Sequence, residues 1–148
     1  MMNPTKQGTC VIYADGAISP ERAGAGIVMC DASGHVVLLA NRILPRLTNN
    51  EAEYAALIMA LEVAVQQNAH VVEVRLDSEV IVNQMAGRFA VNSAALKSWH
   101  RQACERARRV PHLTYTYIPR TQNGVAHALA TEAVSGRRWC TKGAPCSG

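Results

Sequence analysis

The pattern of apolar and polar positions divides the chain into short β-rich runs followed by longer helical periods. Thr9 to Asp15, reading Thr-Cys-Val-Ile-Tyr-Ala-Asp, is rich in strand-forming residues. Gly24 to Cys30 and His35 to Leu44 supply two further strands, set off by Ser19-Pro20-Glu21-Arg22 and by Asp31-Ala32-Ser33-Gly34. The second of these segments has the residues of a tight turn, Gly34 above all because glycine accepts positive φ. Three strands joined by such short connections predict an antiparallel meander.

The period then changes. Thr48 to Asn50 offers N-cap chemistry, and Tyr54, Leu57, Ile58, Leu61 and Val65 recur at helical spacing as far as Gln67-Asn68. Val71 to Leu76 reads as a short apolar strand, and Ser78 can cap a second helix running through Val80, Ile81 and Gln84 to Gly87. This alternation of strand and helix predicts a parallel crossover, which is right-handed in nearly all cases. Ala94 to Arg109 places Leu96, Trp99, Ala103 and Cys104 on one side, a third amphipathic helix that stops before Pro111. Leu113 to Ile118 is a fifth strand. Asn123-Gly124 opens a last helix through Val125, Ala128, Leu129 and Ala133. From Ser135 the periodicity is lost, so the expected organisation is one domain over residues 1–134 and a mobile basic tail over 135–148.

Composition fits that division. A chain of 148 residues, 49% hydrophobic and 18% charged, suits a single domain with a sizeable core. Its apolar stretches are too short to span a membrane, and Met1 to Lys6 lacks an apolar signal segment, so a cytoplasmic protein is expected. The net charge of +4, with Arg101, Arg106, Arg108 and Arg109 crowded together and Arg137, Arg138 and Lys142 near the end, favours a polyanionic partner. A solvated helix face and a basic tail explain the same clusters equally well. Five cysteines without a Cys-x-x-Cys spacing argue against structural zinc. Cys140 and Cys146 are spaced to close a small loop, but a reducing compartment makes free thiols the expectation.

The chemistry is carried by Asp15, Glu53 and Asp77. Two of these acids close strand-forming runs and the third opens the long helix, so one central sheet can bring all three together. If the first and fourth strands are neighbours, Asp15 and Asp77 lie side by side. Carboxylates are hard oxygen ligands, and a cluster of them is tolerated where a divalent cation offsets their repulsion, which suits Mg²⁺ or Mn²⁺. Taken singly, each acid also has a structural explanation: a turn for Asp15, the helix macrodipole for Glu53 and capping for Asp77. The ordered set outweighs those explanations.

Four motifs in order complete the picture: Tyr-Ala-Asp15-Gly, Thr-Asn-Asn-Glu-Ala-Glu53-Tyr, Asp77-Ser with Val82-x-Gln84-Met, and Ile118-Pro-Arg-x-x-Asn123. Over roughly Thr9 to Val134 the chain resembles type 1 ribonuclease H. The resemblance implies the α/β (α+β) fold of the ribonuclease H-like superfamily, a five-stranded mixed sheet with an antiparallel meander plus parallel strands, flanked by helices. It further implies an endonuclease that cleaves the RNA strand of RNA/DNA hybrids and leaves 5′-phosphate and 3′-hydroxyl ends. Asp15, Glu53 and Asp77 match the first three metal-binding acids of a site holding two Mg²⁺ or Mn²⁺ ions, with Asp15 expected to bridge them. At the fourth position, where the family usually has Asp, this chain has His127. An imidazole still binds a divalent metal, and nitrogen ligation favours Mn²⁺ over Mg²⁺. Asn49, Asn50 and Gln84 match positions that contact the minor groove and the RNA 2′-hydroxyls, and Asn123 and Gly16 complete the expected substrate-binding set. Asn49 and Asn50 also read as capping residues, and Gly16 as a turn or a close approach to nucleic acid. Double-stranded RNA is a second candidate partner, and a monomer is the default. The alternative to an enzyme is a binding module of the same fold that grips hybrid or double-stranded RNA and cleaves poorly because of His127.

Overall fold

Strand β1 (Thr9–Ile18) is the spine of a five-stranded sheet. In this computed structural model, which describes residues 8–141, it lies between β2 (Ala23–Asp31) and β4 (Val71–Leu76). The edges are β3 (Val36–Leu44) beside β2 and β5 (His112–Tyr117) beside β4, giving the order β3-β2-β1-β4-β5. β1, β2 and β3 pair antiparallel, whereas β1, β4 and β5 pair parallel, so the expected meander and crossover both form. The turn from Asp31 to Gly34 closes as its composition requires. Gly34 adopts φ 87°, and Asp31 Oδ1 accepts from the Ser33 and His35 N–H groups.

Alternation along the central strands assigns the faces. Cys10, Ile12 and Ala14 of β1 and Val72, Val74 and Leu76 of β4 are buried together beneath α1 (Asn49–Gln66). That helix is apolar on most of its circumference because the sheet covers one side and α3 (Ala94–Ala107) packs on another. Tyr54, Leu57 and Leu61 are among its fully buried side chains. The short α2 (Glu79–Met85) follows β4, with Ser78 Oγ accepting from the Ile81 N–H. On the opposite face α4 (Gly124–Val134) lies against β2, and its approach is set by Gly24 and Gly26. A Cβ at either glycine would collide with the α4 backbone at Ala126 or Ala130.

Two expectations are corrected at the C-terminal end. The segment after α4, expected to be mobile, is held against the edge of the sheet as far as Thr141. Asn41 N–H donates to the Trp139 carbonyl at 2.9 Å, Thr141 N–H donates to the Leu39 carbonyl at 3.0 Å, and Ala40 bridges to Cys140. Backbone donors and acceptors of an edge strand recruit such a segment, and pairing leaves fewer of them open. Cys140 is disulfide-bonded rather than a free thiol. Cys146 and Lys142 lie outside the described residues. No helix among the described residues is long and apolar enough to cross a membrane.

Candidate metal centre

The three acids converge from three elements. β1 pairs with β4 through Tyr13 opposite Arg75, and continuing that register by two residues sets Asp15 opposite Asp77, just past the end of β4. Asp15 does not close its strand as expected, because β1 runs on to Ile18 in its pairing with β2. It is instead the point where β1 outruns its parallel neighbour. Glu53 arrives from the first turns of α1, where β1 and the helix are in direct backbone contact. A Cβ on Gly16 would lie 2.5 Å from the Ala52 carbonyl oxygen, so glycine is required there for packing. Gly16 is buried within β1 rather than in a turn, and its close approach is to α1. Its N–H donates to Glu53 Oε1 at 2.5 Å.

One ligand atom from each of Asp15, Glu53 and Asp77 lies within 4.8 Å of the other two. Asp15 is 4% and Glu53 8% exposed, and Asp77 is half-buried. Burial pushes the Glu53 carboxyl up to about 9, with the Asp15 charge adding to the effect. Asp15 is also raised, first by burial and then by the Asp77 charge, although hydrogen bonds from Glu53 and His127 oppose the shift. Without a cation this cluster therefore retains a proton between Asp15 and Glu53. All three oxygen-donor groups present acceptors to one small volume, which fits a hard divalent ion able to take the place of that proton.

His127 reaches the site without joining the group of three. Its Nδ1 stands 2.8 Å from Asp15 Oδ2, and its side chain is half exposed. An Nδ1–H donated to Asp15 leaves Nε2 as the nitrogen free to bind a metal. Asn123 is corrected more sharply. Expected to touch substrate, it is 1% exposed and sits behind the carboxylates. Its Nδ2 donates to the Ala14 carbonyl at 2.9 Å and to Asp77 Oδ2 at 3.0 Å. It is a positioning residue that fixes Asp77 relative to β1, and for that reason its side chain makes no cap for α4.

The cleft in front of Asp15 and Glu53 has a volume of about 270 Å³, and Asn49, His127 and Arg120 stand on its walls. Asn49 and Asn50 are exposed, whereas the N-cap is Thr48, in a capping box with Glu51. Capping thus leaves both asparagine side chains to face outward. Gln84 is buried, and its Oε1 accepts from the Tyr54 hydroxyl at 2.6 Å. Arg120, part of the Ile118-Pro-Arg-x-x-Asn123 motif but given no role by it, lies in the 3₁₀ turn Arg120–Gln122 after β5. Its signal lay in topology: β5 is parallel to β4, so the segment leaving its carboxyl end returns to the side of the sheet where Asp77 lies.

Comparison with known proteins agrees with this fold. Residues 14–133 match the family described as reverse transcriptase-like. A ribonuclease HI of Halobacterium salinarum is 34% identical over 136 residues, 90% of this chain and 68% of that protein. The crystal structure of RNase H1 from the same archaeon superimposes with a TM-score of 0.84 at 33% identity, covering 88% of this chain and 100% of that one. LC11-RNase H1, solved in complex with an RNA/DNA hybrid, gives a TM-score of 0.81 at 36% identity, covering 86% of this chain and 97% of that one. With its mixed sheet, its carboxylates at the outrun end of β1 and these relatives, the chain belongs to the type 1 ribonuclease H family.

Proposed function

We propose that this chain is a metal-dependent endoribonuclease that hydrolyses the RNA strand of RNA/DNA hybrids, leaving 5′-phosphate and 3′-hydroxyl ends. The observation that carries the proposal is the convergence of Asp15, Glu53 and Asp77 within 4.8 Å beside an open cleft. Those three side chains would hold two Mg²⁺ or Mn²⁺ ions, whose chemistry when bound is to activate water and to stabilise the departing 3′-oxygen. Asn123 and the Gly16 N–H hold Asp77 and Glu53 in place. His127 orients Asp15 and offers its second nitrogen at the fourth ligand position, which favours Mn²⁺. Arg120 supplies positive charge on the cleft wall where a phosphate would enter.

Asn49 and Asn50 present exposed amides able to bond groove edges and 2′-hydroxyls, Gln84 is the third amide of this set, and Gly16 lines the cleft. The catalytic domain spans residues 1–134, with residues 139–141 held along the edge of its sheet. Cytoplasmic location and a monomeric state accompany this reading as expectations of the sequence.

One observation favours a second reading, a weakly cleaving module that binds hybrid or double-stranded RNA. His127 stands beside the carboxylate group and not within it. Cleavage of a labelled hybrid in Mg²⁺ and in Mn²⁺, with double-stranded RNA and duplex DNA as controls, separates the two. The enzyme cuts the RNA strand only with metal, and Asp15→Asn lowers the rate by at least ~10³-fold while hybrid binding persists. Tight binding without cutting in either metal would establish the binding module.

A further inference from the structure

Trp99 and His100 are neighbours on α3, and each reaches a segment that the proposed function sets against the hybrid. The Trp99 Nε1–H donates to Glu51 Oε2 at 3.1 Å. Glu51 Oε1 accepts from the Thr48 N–H at 2.9 Å, and the Glu51 N–H donates to Thr48 Oγ1 at 3.3 Å. Asn49 and Asn50 are the two residues enclosed by this capping box. One position further along α3, His100 Nε2 lies 3.3 Å from the Gln84 carbonyl oxygen, and its ring meets Tyr54 edge-on at 6.3 Å. Tyr54 in turn donates to Gln84 Oε1.

We infer that α3 is a positioning element for substrate, with Trp99 acting through Glu51 on Asn49 and Asn50, and His100 acting with Tyr54 on Gln84. The inference rests on the reading that these three amides grip the hybrid. The first turn of a helix has N–H groups without intrahelical partners and frays readily, and an exposed capping box restrains it only locally. A carboxylate that also accepts an indole N–H ties this turn to a second helix through a charge-assisted bond. Trp99 is only half-buried and packs at the border of the core, so its N–H has a direction that simple filling of space does not require. Binding two flexible amides to a duplex costs ordering entropy, and fixing their backbone beforehand removes part of that cost.

Steady-state cleavage of a hybrid by wild type, Trp99→Phe, Glu51→Gln and the double variant tests the idea. Phe keeps an aromatic ring without the N–H, and Gln keeps an acceptor for Thr48 without the charge. Each single variant should raise KM about fivefold to tenfold, the scale of one charge-assisted hydrogen bond, with kcat within about twofold. The double variant should match the larger single effect, because both changes remove one contact. Tyr54→Phe should give the same KM signature through Gln84. Unchanged KM with a lowered melting temperature, or multiplicative effects in the double variant, overturns the positioning role and leaves Trp99 as packing. Absence of hybrid cleavage and binding by wild type overturns the functional reading itself, and this inference with it.

Discussion

Glu53 holds a proton that the unfolded chain would release. Its folded pKa of about 9 lies above the ordinary value of 4.5, chiefly through burial and then through Asp15. Between those limits the folded state binds more protons than the unfolded state, so stability falls as pH rises across that window. Glu53→Gln cannot titrate, and its amide can donate to Asp15 while its oxygen still accepts from Gly16. In metal-free protein the variant should therefore be more stable than wild type, by a margin that opens above pH ~4.5 and widens towards 9. Each pH unit of difference that the folded state realises corresponds to about 1.4 kcal/mol. Thermal melts in a chelating buffer at pH 5, 7 and 8.5 check this, and a constant margin would mean that Glu53 ionises normally. At this scale Asp15, Glu53 and Asp77 were legible because each stands at the boundary of a clear period. Asn123 reads from its motif as a substrate contact, but its burial behind the carboxylates depends on which elements close over it, and local spacing carries no such information.

Between elements, the decisive contact is β2 against α4. Gly24 and Gly26 let the helix backbone rest directly on the strand, and the same helix carries His127 to Asp15. Gly26→Ala would place a methyl group 2.6 Å from the Ala130 nitrogen, and backbone on both sides cannot yield as a flexible side chain could. The helix must move outward, at a cost of about 1–3 kcal/mol for such overpacking, and His127 moves with it. A lowered melting temperature together with weaker Mn²⁺ binding in a calorimetric titration is expected. Retention of both would show that the contact relaxes elsewhere. The two glycines were visible inside a strand pattern, where glycine marks close approach, but a helix that begins nearly a hundred residues later could not be identified as the neighbour. Strand and helix positions, by contrast, followed from periodicity, because α1 and the strands around β1 bury the residues that set their periods.

For the molecule as a whole, the sheet order makes the site. Only with β4 inserted beside β1 do two carboxylates from distant sequence positions meet, and only with α1 packed on Gly16 does the third join them. The crossover permits β4 beside β1 without requiring it, and the pairing of residues 139–141 with β3 had no signal at all, since that segment has no period and is held mainly by backbone groups and Asn41. The folded chain thus stores mutual repulsion among three acids, relieved by a proton when no cation is present. A divalent ion must displace that proton, so binding is coupled to proton release across the whole site. Titration of Mn²⁺ by calorimetry at pH 7.5, in two buffers of different ionisation enthalpy, should report the release of about one proton per site filled. Affinity should rise up to ~10-fold per pH unit and level off near pH 9, where Glu53 ionises without help. In Glu53→Gln the released proton should disappear while weaker binding through Asp15 and Asp77 remains. Proton release that persists undiminished in this variant would move the proton to Asp15 and reverse the assignment within the pair.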